Sequence, residues 1–218
     1  MKLFDWLGKN WLAFAILLIP LALLAWFWNQ IPEEVASLWN AAGEIDGYSG
    51  RWSLLIGPLS GLGSVLLVLV LTWIDPKKSI HQYQNTLQNV VLILSLFMSI
   101  ISMGIILYAA NYDLNVPAII IFSVLGINLF LGNLFGKIKP NYFVGIRTPW
   151  TLESESVWRK THRLSGIVWV VASLTMMLLF PFFRLEAFII LFLAYLSVII
   201  MIPLVYSYQS YRQEKAAA

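Results

Sequence analysis

A chain of 218 residues that is 60% hydrophobic, 15% aromatic and only 11% charged lies far from the roughly 25% charge of soluble domains, and it reads as an integral membrane protein. It has no cysteine, which removes disulfides and thiolate chemistry and leaves redox compartment unspecified. The net charge of +3 comes from cations gathered between apolar runs, so it reports topology before nucleic-acid binding, and no direct nucleic-acid partner is expected.

A helix needs about 20 apolar residues to cross the hydrocarbon core. Six stretches qualify: residues 11–28, 54–74, 87–109, 116–135, 164–183 and 187–206. The predicted fold is therefore all-α integral membrane, with six transmembrane helices. Placing the N-terminus in the cytoplasm puts Lys2, Lys9, Lys77, Lys78, Lys137, Lys139, Arg147, Arg159, Lys160, Arg163, Arg212 and Lys215 inside. Only Arg51 and Arg184 then lie outside, so both termini are expected to be cytoplasmic.

The first apolar run follows a basic start but has no A-x-A site and ends in Trp26, Phe27 and Trp28. These read as an interfacial belt, so the run is expected to stay in the mature protein. In the outer loop, 29–52, Pro32 suggests the first turn of a short surface helix, with Gly43 and the pair Asp46 and Gly47 forming a tight turn. Glu33, Glu34, Glu44 and Asp46 make this loop acidic. The second segment opens with a G-x-x-x-G spacing at Gly57 and Gly61, which favours close helix packing. An inner loop with Pro76 and His81 leads to the third segment, where Ser95, Ser99 and Ser102 form one stripe. Asn128, near the middle of the fourth segment, needs a partner inside the bundle. No acidic or basic residue occupies the centre of any segment, which argues against an ion-coupled transporter. The fifth and sixth segments form a hairpin, with Pro181 expected to end or kink one and Pro203 the other. The tail from Ser207 is read as short and polar.

The longest hydrophilic interval is 141–166, and it places Arg147, Glu153, Glu155, Arg159, Lys160, His162 and Arg163 within seventeen positions. Gly145 and Pro149 bracket a turn. Thr151 is the expected N-cap, with Glu153 and Glu155 in the first helical turn. Glu155, Arg159, His162, Gly166 and Trp169 then share a helix face. Arg147 and Glu155 are expected to join a buried polar cluster that closes the cytoplasmic end of the bundle. No zinc-helix spacing, nucleophile elbow or phosphate-cradling loop is present, so no catalytic residue, metal or cofactor is assigned.

The interval closely resembles the signature of the SdpI family of bacterial membrane proteins. The matching residues are Asn141, Gly145, Ile146, Arg147, Thr148, Pro149, Trp150, Thr151, Leu152, Ser154, Glu155, Val157, Trp158, Thr161, His162, Arg163 and Gly166. The outer loop resembles a small domain of unknown function that often precedes that region, through Ile31, Pro32, Trp39, Asn40, Gly43, Asp46 and Gly47. Leu38 stands where many such loops carry histidine. The resemblance divides the chain into an N-terminal two-helix unit, 1–75, and a four-helix unit, 76–218. It implies a non-enzymatic immunity protein of the bacterial cell membrane, in contact with lipid and a secreted peptide toxin. It also implies signalling through capture of a cytoplasmic repressor protein. Two other readings stay open. A membrane-embedded enzyme needs Glu153, Glu155 and His162 to converge on a cavity, and a transporter or flippase needs a polar cavity near Asn128.

Overall fold

A computed structural model describes residues 8–74, 84–141 and 144–217. The expectations for Lys2, Pro76, Lys77, Lys78 and His81 concern residues outside that range. The helices are α1 (Trp11–Phe27), α2 (Ile56–Ile74), α3 (Gln84–Ala109), α4 (Val116–Phe135), α5 (Pro149–Glu153), α6 (Glu155–Leu179) and α7 (Leu185–Ala217). Five of them, α2, α3, α4, α6 and α7, are long and apolar enough to cross a membrane, whereas α1 is a shorter apolar helix of 17 residues. Cα packing divides the chain into two units, one built from Met1–Val70 and Gln88–Ile127, the other from Leu71–Leu87 and Asn128–Ala218.

In the first unit the loop after α1 is a β-hairpin, not the expected surface helix. Strand β1 (Glu34–Trp39) pairs antiparallel with β2 (Ile45–Gly50). The turn lies earlier than Asp46 and Gly47, because Asn40 builds it. Its Oδ1 accepts from the amides of Ala42 (2.9 Å) and Glu44 (3.0 Å), and Gly43 takes φ 84°. An Asx turn with glycine at the left-handed position fixes the register. Gly47 falls inside β2, under the Leu38 side chain. Ile31 and Val35 are buried with Leu24, Leu54 and Ile106, so the hairpin is anchored through its base.

The small residues of this unit serve close approach. A Cβ on Gly57 would lie 2.5 Å from Ser102 Oγ, and one on Gly61 would lie 2.6 Å from Leu17 Cδ2. Lipid tails supply little hydrophobic drive between helices, so such contacts carry the packing. Ser99 has a more specific task. Pro20 lies inside α1 and has no N–H for the carbonyl of Ile16, four residues earlier. The Ser99 hydroxyl donates to that carbonyl at 3.0 Å.

The second unit repeats the device. Pro203 lies inside α7 and does not end it: the helix continues to Ala217. The carbonyl that Pro203 leaves without an amide is that of Ile199, and the indole N–H of Trp169 donates to it at 2.9 Å. Pro181 does end α6, which gives way to a 3-10 turn at Phe180–Phe182. Asn128 is buried and hydrogen-bonded to Tyr195, whose hydroxyl is 2.8 Å from Ser173 Oγ. Gly132 of α4 and Gly166 of α6 let the two backbones nearly touch, since a Cβ on Gly166 would lie 2.7 Å from the Gly132 carbonyl oxygen.

Candidate functional site

The candidate site is the segment between α4 and α6 with the end of α7. Asn141 is buried and ties the start of the loop. Its Nδ2 donates to the carbonyls of Lys139 (2.8 Å) and Val144 (2.9 Å), and its Oδ1 accepts from the amide of Val144 (2.7 Å). Gly145 follows at φ 110°, where an L side chain is strained, and a Cβ would run into His162 Nε2.

That nitrogen is already engaged. The amide of Ile146 donates to His162 Nε2 at 3.0 Å, while Nδ1 lies 2.9 Å from the carbonyl of Trp158. An N–H donor facing Nε2 makes it the acceptor, so Nδ1 carries the hydrogen and donates to Trp158. His162 is fixed as the neutral imidazole, because a proton on Nε2 would set donor against donor. Its ring stacks on Trp158 at 4.1 Å and meets the edge of Phe135 at 5.7 Å. Trp158 is wholly buried, and its indole N–H donates to the carbonyl of Ile138 at 2.8 Å. The imidazole thus pins the glycine turn to α6.

Thr148, not Thr151, is the first N-cap. Pro149 takes the N1 position, and the side chains of Thr148 and Thr151 bond reciprocally to each other's amides, 3.2 and 2.9 Å. A proline at N1 has no amide to satisfy, which fixes the helix start one residue after Thr148. Glu153 therefore closes α5 instead of opening the next helix. Ser154 caps α6, accepting from the Val157 amide at 3.3 Å, with Glu155 in the first turn.

The expected buried cluster of Arg147 and Glu155 is absent from the described structure: both side chains are exposed, as are Arg159, Lys160 and Arg163. Hydrogen-bonding threonines and neutral rings fill the interior instead, which spares the cost of desolvating two charges. Of the face predicted on α6, His162 and Gly166 turn inward while Glu155 and Arg159 do not. Glu153, Glu155 and His162 do not converge, since Glu153 is turned towards α7 and His162 is held by backbone groups.

The tail is not a short polar appendage. It is the last three turns of α7, laid along the signature. Ser207 Oγ lies 3.3 Å from Thr148 Oγ1, and Ser154 Oγ donates to Glu214 Oε1 at 2.6 Å. Glu153 takes the Tyr211 hydroxyl at 2.6 Å and Lys215 Nζ at 3.1 Å. The Tyr211 hydrogen bond, then that of Lys215, holds the Glu153 carboxyl below the usual carboxylate range. Trp150 packs on Tyr208 at 5.0 Å. The sequence reading did not place Ser207, Tyr211, Glu214 and Lys215 at the site, although their spacing of four, three and one sets them on one helical stripe.

In the hairpin, Asn40 and Gly43 are turn formers, while Trp39 is half-buried and meets Tyr108 at 5.9 Å. Pro32 and Asp46 are exposed. Leu38, Ile45, Tyr48 and Trp52 are exposed apolar side chains, with Glu33, Glu34 and Glu44 exposed in the same segment.

Residues 137–207 match the family described as SdpI/YfhL protein family, and residues 15–62 match a domain of unknown function (DUF1648). The chain is 26% identical over 208 residues to the immunity protein SdpI of Bacillus subtilis (strain 168), covering 94% of this chain and 97% of that one. No solved structure matches. With its long apolar helices, the chain is a multi-pass protein of the bacterial cell membrane.

Proposed function

Starting from residues 137–207 as a region of the SdpI/YfhL family, we propose that this protein is a non-enzymatic immunity protein that protects its cell against a secreted, membrane-active peptide toxin. The observation that carries the reading is the near full-length likeness to an immunity protein. The geometry supports a division of labour. The signature spends its polar groups on its own turns and on α7, as a clasp that holds the helix ends rather than as a set of reacting groups. The hairpin leaves Leu38, Ile45 and Tyr48 exposed beside Glu33, Glu34, Glu44 and Asp46, a surface suited to an amphipathic peptide with cationic residues. In this reading all six apolar helices span the bilayer, both termini are cytoplasmic, and the hairpin faces outward, as the distribution of lysine and arginine favours. Signalling through a captured cytoplasmic repressor would use the inner face, where Arg159 is exposed.

The test is survival of a sensitive bacterium across a dilution series of a secreted membrane-active peptide toxin. It compares wild type, a Leu38→Ser/Tyr48→Ser variant and empty vector at matched membrane levels. Protection by wild type that falls in the hairpin variant, with unchanged thermal unfolding, is the expected result. Wild type no better than vector would overturn the immunity reading; full protection by the variant would overturn the role of the hairpin.

A further inference from the structure

The second unit carries a groove that the immunity reading does not use. Leu164 of α6 and Met201, Ile202, Val205, Tyr206 and Gln209 of α7 line an open groove of about 330 Å³. Its lining changes character along α7, from Met201, Ile202 and Val205 through Tyr206 to Gln209. At 33 residues, α7 is about 50 Å long and exceeds a hydrocarbon core of about 30 Å. With the apolar run 187–206 spanning the core, the Gln209 end of the groove reaches the headgroup layer.

Cations flank that end. Lys160 lies one turn before Leu164 on the same face of α6, Arg163 adjoins Leu164, and Arg212 lies one turn beyond Gln209. All three are exposed. The Arg212 guanidinium is 5.9 Å over the Tyr208 ring, which directs it along this stretch of α7. The acid that acts on Lys160, Glu214, already accepts the Ser154 hydroxyl. A furrow that is apolar at one end and polar with a cationic rim at the other matches an amphiphile with an anionic head.

We infer that this groove is a binding site for an anionic glycerophospholipid. The acyl chain lies along Leu164, Met201, Ile202 and Val205, and the phosphate sits among Lys160, Arg163 and Arg212 with Gln209 as a neutral donor. The inference requires only that the chain resides in a membrane, so it stands apart from the immunity reading.

Native mass spectrometry of the full chain, released from detergent, tests it with phosphatidylglycerol, phosphatidylcholine of the same acyl chains and glycerol 1-phosphate. The expected result is selective retention of phosphatidylglycerol. Lys160→Gln, Arg163→Gln and Arg212→Gln should each weaken it about fivefold, and Val205→Trp, which fills the groove, should abolish it. Val205 is exposed, so the fold should tolerate tryptophan. If it does not, Met201→Phe, also at an exposed position, serves as the groove-filling variant. Equal retention of phosphatidylcholine would overturn the anionic specificity. Undiminished phosphatidylglycerol binding in a folded groove-filling variant would overturn the site. Glycerol 1-phosphate binding as tightly as the lipid would reduce it to a phosphate site and overturn the role of the groove.

Discussion

The hairpin and the signature are two polar segments of this chain, and they use their polar residues in opposite ways. In the signature nearly every polar group of the interior is spent at home: Asn141 on its loop, His162 on the glycine turn and its own helix, Thr148 and Thr151 on each other. In the hairpin, Asn40 organises the turn and Ser37 and Ser49 bond across the strands, while Glu33, Glu34, Glu44 and Asp46 stay exposed beside Leu38, Ile45 and Tyr48. Residues of a closed segment should be expensive to change for stability. Residues of an open one should matter mainly for function.

The sharpest test of that contrast is Trp158→Ala, which empties a wholly buried site and removes a stack and a hydrogen bond. It should destabilise the protein by about 3–5 kcal/mol in detergent unfolding followed by circular dichroism. A loss below about 1 kcal/mol would mean that the signature is not a closed core. Gly145→Ala comes next, at about 1–3 kcal/mol, because it strains a backbone at φ 110° and displaces the imidazole. His162→Gln should show how much of that cost is the imidazole. A glutamine that cannot reach the Ile146 amide leaves a donor unsatisfied, at about 1–3 kcal/mol; because the fold holds the ring neutral while the unfolded imidazole takes a proton at about pH 6.5, the loss should be constant on the alkaline side and shrink as the solution turns acid. Thr148→Ala should cost about 1 kcal/mol as a lost N-cap. On the other side of the comparison, Leu38→Ser/Tyr48→Ser should change unfolding by no more than about 0.5 kcal/mol while it lowers protection.

The smallest effect is reserved for Glu153→Gln, at an exposed contact between the signature and α7. The wild-type carboxyl titrates below its usual range because the Tyr211 hydroxyl and Lys215 favour its ionised form. Its contribution is therefore whole above the unfolded carboxylate pKa and drains away as pH falls through the lowered folded value. The stability gap between wild type and variant should close on acidification. A gap that widens in acid would reverse the assigned direction.

Much of this was legible in the chain. The apolar runs foretold the membrane helices to within a few residues at most ends, and Gly57, Gly61 and Asn128 behave as small or buried polar residues must in lipid. The hairpin was missed because Pro32 and Gly43 are turn residues for helices and strands alike, and Asn40 was not recognised as the residue that builds the turn. Arg147 and Glu155 were expected inside because charges in a crowded motif suggest pairing, while the threonines that occupy the interior give no such signal. The stripe of Ser207, Tyr211, Glu214 and Lys215 was present but lay beyond the last apolar run, where the chain was read as a tail.

By itself the sequence determined the membrane class, the helix positions and the motif on which the family resemblance rests, because hydrophobic length and local residue chemistry are properties of a segment. The fate of the prolines belonged to tertiary structure. Pro20 and Pro203 each leave one carbonyl unbonded in a helix, and in lipid such a group costs several kcal/mol unless something donates to it. Ser99 and Trp169 do so across 83 and 30 positions of sequence. A local rule can name the broken bond, but only the packed helices supply the side chain that replaces it.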